Sequence, residues 1–249
     1  MVSGIQHAVQ GMTLQTQRQD QIANNLANVN TTGYKRRDLF ASSIEKHLQD
    51  DRGRVSGQRV LRADETYTDF SDGVVEQTGN PLDFAIQGEG FFSVMRPSGV
   101  AYTRDGSFSL DQEGFLITGS GDRVFGDSGF IKVDPEGGEL NVLQDGTVLQ
   151  DNVEIDRLRI SDFPRPYKML GVGDNYYRPE ADGTGKNVSS PLRSGFEIQQ
   201  GYLERSNVNP VHEMTGMISS HRVYEATAKA MQSQDETLDK AVNTVGRVQ

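Results

Sequence analysis

Ser206-Asn-Val-Asn-Pro-Val-His-Glu-Met214 is where the chain turns into a helix. Asn209 carries the short polar side chain that satisfies free amides at a helix start, and Pro210 suits the first helical position because it lacks only an amide that would stay unpaired. From there Val211, Met214, Ile218, Tyr224, Ala228, Met231, Leu238, Val242 and Val245 recur at threes, fours and their sums. A narrow, sustained, near-heptad seam predicts a long helix within residues 206–249 that packs on other helices rather than in the centre of a globular core.

The region before it is of another kind. Turn pairs recur at Asp105-Gly106, Glu113-Gly114, Ser120-Gly121, Ser128-Gly129, Gly137-Gly138 and Asp145-Gly146, with short β-prone runs such as Phe108–Leu110, Phe115–Thr118 and Val142-Leu143 between them. Turns at this spacing predict successive hairpins and an all-β domain over residues 81–205. Its opening strand is read at 82–87, with Leu82, Phe84 and Ile86 on one face, and its closing strand at 196–202. Residues 171–191 read as a long polar loop.

Residues 1–33 are rich in Gln and Asn, and Ile5, Ala8, Met12, Ile22, Leu26 and Val29 advance by threes and fours apart from a gap filled by Gln15 and Gln19. This predicts an amphipathic helix with a polar middle, ending at Asn30-Thr-Thr-Gly33. Between Lys35 and Arg62 eight basic residues face four acidic ones, a net +4 within a chain of net charge −10, which leaves −14 for the rest. Residues 34–80 therefore read as a basic connector, either simply solvated or a surface that meets the acidic body of a neighbouring subunit. The fold class is α+β, with N- and C-terminal helices forming a coiled-coil stalk around a central all-β domain. Two ends with lean apolar stripes suit polymerisation through contacts between copies.

Composition narrows the function. A net charge of −10 repels a phosphate backbone, so no nucleic-acid partner is expected. No stretch approaches the ~18 apolar residues of a membrane span, and the N-terminus lacks the pattern of a cleaved secretory signal. There is no Cys, and no two of His7, His47, His212 and His221 have the i, i+4 spacing of a helix-borne zinc site. His221 is expected to pack on the stripe with Met214 and Ile218. Gly88-Glu89-Gly90 opens like a dinucleotide fingerprint but runs into a strand, so it reads as a kink between strands. Gly183-Thr-Gly-Lys186 lacks the hydroxyl that a phosphate loop needs at Asn187. The carboxylates sit mostly beside turn glycines, and no Gly-x-Ser-x-Gly occurs, so no catalysis and no cofactor or metal are expected.

Four motifs carry a resemblance. Ile22-Ala-Asn-Asn-Leu-Ala-Asn28 with Val29-Asn-Thr-Thr-Gly-Tyr-Lys35 begins the chain; Leu82-Asp-Phe-Ala-Ile-Gln-Gly-Glu-Gly-Phe-Phe92 and Tyr102-Thr-Arg-Asp-Gly-Ser-Phe108 open the β domain. Gly201-Tyr-Leu-Glu-Arg-Ser-Asn-Val-Asn-Pro-Val211, with Arg222-Val-Tyr-Glu225, follows near the end. In this order they resemble the flagellar basal-body rod and hook family of axial proteins, and they look closer to its proximal-rod members than to its distal ones. The resemblance implies a structural subunit exported uncleaved through the flagellar type III apparatus, paired through both terminal helices, and partnered by copies of itself and by other proximal and distal rod subunits. The assembly contacts would fall on Ile5, Met12, Ile22, Asn24, Asn25, Leu26, Asn28, Asn209, Pro210, Met214, Ile218, Tyr224, Met231, Leu238, Val242 and Val245. The asparagines would fix helix register or merely fray the helix end. A β-domain module that binds cell wall is the competing reading, although the body lacks Trp and dense Tyr for a sugar platform.

Overall fold

The computed structural model describes residues 2–49, 55–180, 190–192 and 194–245. The chain divides into two compact units, one of Met1–Ala27, Arg37–Asp69 and Asn209–Gln249, the other of Asn28–Arg36 and Phe70–Val208. Both ends of the sequence thus belong to one unit, and its middle to the other.

The first unit holds helix α1 (Val2–Ala27), strands β1 (Arg37–Gln49) and β2 (Val55–Thr68), and helix α2 (Pro210–Val245). Asn209 caps α2: its Oδ1 accepts from the amides of Val211 at 3.0 Å and His212 at 3.2 Å. The helix runs unbroken through Gly216 for 36 residues. α1 ends at Ala27, and the next residues turn, with Gly33 at φ 65°.

Much of the segment read as a connector is a two-stranded antiparallel ribbon. β1 and β2 pair from Arg37↔Thr68 to Gln49↔Val55, with a register shift at Phe40/Ala41. The sequence conceals these strands because dense charge interrupts any period-two alternation, and strand formation here depends on the partner strand rather than on pattern.

The second unit is built of short strands. They are β3 (Val75–Gln77), β4 (Phe84–Gly88), β5 (Phe91–Arg96), β6 (Gly99–Thr103), β7 (Phe108–Leu110), β8 (Leu116–Thr118), β9 (Arg123–Val124), β10 (Leu140–Val142), β11 (Thr147–Gln150), β12 (Val153–Arg157), β13 (Ile160–Asp162), β14 (Met169–Gly171), β15 (Tyr176–Pro179), β16 (Ser190–Pro191), β17 (Phe196–Gln200) and β18 (Tyr202–Glu204). Nine of them form one sheet along β14-β15-β6-β5-β9-β8-β7, with β13 pairing β5 and β16 beside that path. β10, β11 and β12 make a small meander, while β17 pairs β4 and β18 pairs β3.

Phe84, Ile86, Phe92, Val94, Ile160 and Ile198 anchor the main core, and Phe91, Tyr102, Phe163 and Tyr177 form a second, aromatic cluster against Phe70. In β4 Phe84, Ala85 and Ile86 are all buried, so both faces of this strand are covered, whereas the alternation of Leu82, Phe84 and Ile86 predicts one inward face. Gly88 and Gly90, at φ 100° and 103°, turn the chain from β4 into β5, where residues with a Cβ would be strained. At Gly201, φ 79°, the expected closing strand divides into β17 and β18. The expected polar loop holds β15 instead, because Asp174 and Asn175 form a turn at positive φ and Tyr176 and Tyr177 bury behind it. Gly183-Thr-Gly-Lys186 lies outside the described residues.

Candidate assembly interface

Within the first unit α1 and α2 run antiparallel. Asn25 meets Glu213 with Nδ2 3.4 Å from Oε2, Ile22 faces Gly216, and the Ser220 hydroxyl donates to Gln15 Oε1 at 2.9 Å. Asn25, only 1% exposed, also forms a two-way amide pair with Arg37: Nδ2 donates to the Arg37 carbonyl at 2.8 Å, and the Arg37 amide donates to Oδ1 at 3.0 Å. Its side-chain amide behaves as an extra peptide group, so one residue joins α1, α2 and the first residue of β1. Glu213 is buried in the first turn of α2, where a carboxylate also meets the positive end of the helix dipole.

The seam is polar for a helix pair. Ile22 is buried, and Met12, Leu26, Tyr224 and Met231 are half-buried along it. Gln10 Oε1 and Gln19 Nε2 are buried atoms with no hydrogen-bond partner among the described residues.

The stripe read on α2 divides in two. Met214 and Ile218 are exposed at 52% and 55%, and Val211 at 69%, while Tyr224, Ala228 and Met231 are half-buried. The cause is helical geometry: at about 100° per residue the six-residue step from Ile218 to Tyr224 turns the side chain by roughly 240°. The inward face of the first turns is instead Glu213, Gly216 and Ser220, which the apolar pattern passes over and a strict 3.6-residue count from Tyr224 would have reached. His221 is exposed rather than packed, with Nε2 3.6 Å from Glu225 Oε1. It lines a shallow groove with Gln19, Met217, Ile218, Arg222 and Glu225.

The asparagines take three different roles. Asn25 bonds across the helix pair, Asn24 is exposed and donates to the Asp20 carbonyl of its own helix, and Asn28 belongs to the second unit, where its Oδ1 accepts from the Thr31 hydroxyl. Asn209 and Pro210 form the start of α2 and are exposed. The side chains of Ile5, Leu238, Val242 and Val245 lie outside the described residues.

Among the described residues no group of three or more His, Cys, Asp or Glu is placed to hold a metal ion, and no helix is long and apolar enough to cross a membrane. What the unit does display is an apolar stripe on the outside of a polar helix pair. Exposed apolar surface of that kind is where proteins commonly meet other proteins. Comparison with known proteins gives the family. A model described as flagella basal body rod protein matches residues 5–35, one described as flagellar hook protein FlgE/F/G D1 domain matches 85–150, and one described as flagellar basal body rod FlgEFG protein C-terminal matches 199–244. The flagellar basal-body rod protein FlgF of Caulobacter vibrioides is 35% identical over 230 residues, 92% of each chain. The flagellar basal-body rod protein FlgG of Borreliella burgdorferi is 32% identical over 263 residues, 98% of each chain. That of Buchnera aphidicola subsp. Schizaphis graminum is 34% identical over 252 residues, covering 92% of this chain and 95% of its own. This chain belongs to the flagellar basal-body rod protein family and is a structural protein of the flagellum.

Proposed function

We propose that the chain is a subunit of the proximal rod, exported without cleavage through the flagellar type III apparatus and polymerised through α1 and α2. The rod so formed carries torque across the periplasm. The observation that carries this reading is the outward stripe of Val211, Met214 and Ile218, which lies on the first turns of a helix whose opposite face is already engaged by α1. Covering a Met and an Ile of this kind contributes about 1.5–3 kcal/mol each on full burial. The proximal position rests on the motifs at residues 82–88 and 206–210, since FlgF and FlgG relatives match with similar identity. Neighbours along the axis would be copies of this chain and the other proximal and distal rod subunits.

Ile218→Asp places a charge on the exposed stripe. The expected result is a soluble, folded subunit that fails to enter rods, with loss of motility when it replaces the native chain. Rods of normal length and normal motility from this variant would exclude the outer stripe as an assembly contact.

A further inference from the structure

The second unit contains a buried ionic cluster that the helix pair does not use. Lys35, Glu204 and Arg104 are exposed by only 1%, 1% and 3%. Lys35 Nζ donates to Glu204 Oε1 at 2.5 Å and to the Ser71 carbonyl at 2.7 Å. The same carboxylate oxygen accepts from the Gly73 amide at 2.8 Å, and Oε2 lies 3.3 Å from Arg104 Nη1. Arg104 Nη2 donates to the Gly88 carbonyl at 2.7 Å, and Asp72, 60% exposed, lies 3.5 Å from Arg104 at the solvent edge. The buried part therefore holds two cations around one carboxylate, Glu204. Burial pushes the Lys35 ammonium below its ordinary value, and Glu204 pulls in the opposite direction.

Lys35 is delivered by a segment that bonds to the body at nearly every residue. The Thr32 hydroxyl donates to Asp105 at 2.8 Å, Asn175 donates to the Thr32 carbonyl at 3.0 Å, and the Gly33 amide donates to the Glu204 carbonyl at 2.8 Å. The Arg36 amide donates to Asn207 Oδ1 at 2.7 Å, and Asn207 donates in turn to the Ser71 carbonyl at 3.1 Å. Gly33 sits so close to the Asp105 amide that any Cβ would collide with it. Tyr34 is buried beside these contacts.

We propose that residues 31–36 are a latch that closes the β unit, with Lys35 as its bolt and Glu204 as its keeper, so that this unit is complete only when the N-terminal segment is seated. Three stretches far apart in sequence meet at the keeper: the latch itself, residues 70–73, and β18 with 206–208. These are the stretches of the β unit that lead to α1, from β2 and to α2. Seating the latch therefore gathers the points where the chain enters and leaves the β unit in one step. Removing Glu204 strands two buried cations, whereas removing Lys35 leaves the Arg104–Glu204 pair, and an uncompensated buried charge is far costlier than an absent pair. The inference stands apart from the assembly reading, since it concerns the order within one chain.

The test uses the full chain with Lys35→Met, Glu204→Gln and the apolar double variant Lys35→Met/Glu204→Met, read by urea unfolding and by amide exchange of the native state. Glu204→Gln is expected to lower the folded-to-unfolded ratio by about a hundredfold or more, and the double variant to recover part of that loss. Lys35→Met, the variant that keeps its fold, is expected to raise exchange together at 31–36, 70–78 and 202–208 while β5 and β6 stay protected. If Glu204→Gln does not fold, the linked exchange in Lys35→Met decides the matter alone. Loosening confined to residues 31–36, or no change at 70–78 and 202–208, would overturn the latch.

Discussion

The helix pair and the β unit solve the same problem with unlike chemistry. In the β unit, Phe92 and Val94 are 0% exposed and Phe84 and Ile86 are 1% exposed, and aromatic rings such as Phe92 and Phe108 meet edge to face at 5.1 Å. Among the described residues of the helix pair, the seam holds one buried Ile beside Asn25, Gln15, Gly216 and Ser220, while two apolar side chains of similar size, Met214 and Ile218, stay in solvent. Apolar burial supplies most of the free energy of folding, so among the described residues the β unit gains more from its core than the helix pair does from its seam. Apolar burial is thus concentrated in the β unit, while the first turns of α2 leave Met214 and Ile218 exposed, as the proposed assembly through the helices requires.

Substitutions can sharpen the contrast. Phe92→Ala empties the core of the β unit and should cost about 3–5 kcal/mol, whereas Ile22→Ala in the helix seam should cost about 2 kcal/mol, at the low end of its class. Separate thermal unfolding of the two units in each variant tests this, and equal losses would erase the distinction. Asn25→Leu removes both amide bonds to Arg37 and leaves its backbone groups unpaired; about 1–3 kcal/mol should be lost, read as early melting of helix by circular dichroism. Gly216→Ala goes the other way. The new methyl would lie 3.5 Å from Ile22 Cδ1, an ordinary contact, and the gain in helix propensity should stabilise the pair by up to about 1 kcal/mol.

The smallest effect is expected at a surface pair of the β unit. Arg205 holds the Glu76 carboxyl below its usual range through a hydrogen bond and its charge. A carboxylate with a lowered folded value contributes stability above its unfolded value and loses it as the pH falls through the folded one. Both side chains are open to solvent, so Glu76→Gln should leave the melting temperature nearly unchanged at neutral pH and flatten only the acid limb of the stability curve.

The sequence made the strand-rich middle legible because Gly at turns and β-branched or aromatic residues between them act locally: Gly88, Gly90 and Gly201 stand at strand ends as their chemistry requires. The start of α2 was legible for the same reason, since Asn209 and Pro210 act within one turn. What could not be read was anything settled by a distant partner. β1 and β2 exist because each pairs the other, Asn25 is buried because Arg37 and Glu213 come to it, and Lys35 reads as one cation of a basic run until Glu204 is placed beside it. The α2 stripe misled in a more instructive way. Its members are apolar and regularly spaced, yet the six-residue step after Ile218 divides them between the face that α1 covers and the face it leaves open.

Amide hydrogen exchange on the unassembled chain, compared with the assembled rod, shows whether the helices await partners. Faster exchange along α1 and α2 than in β4, β5 and β6 is expected before assembly, and strong protection of both helices once rods form. Equal protection of helices and β core before assembly, with no further change on polymerising, would contradict that expectation.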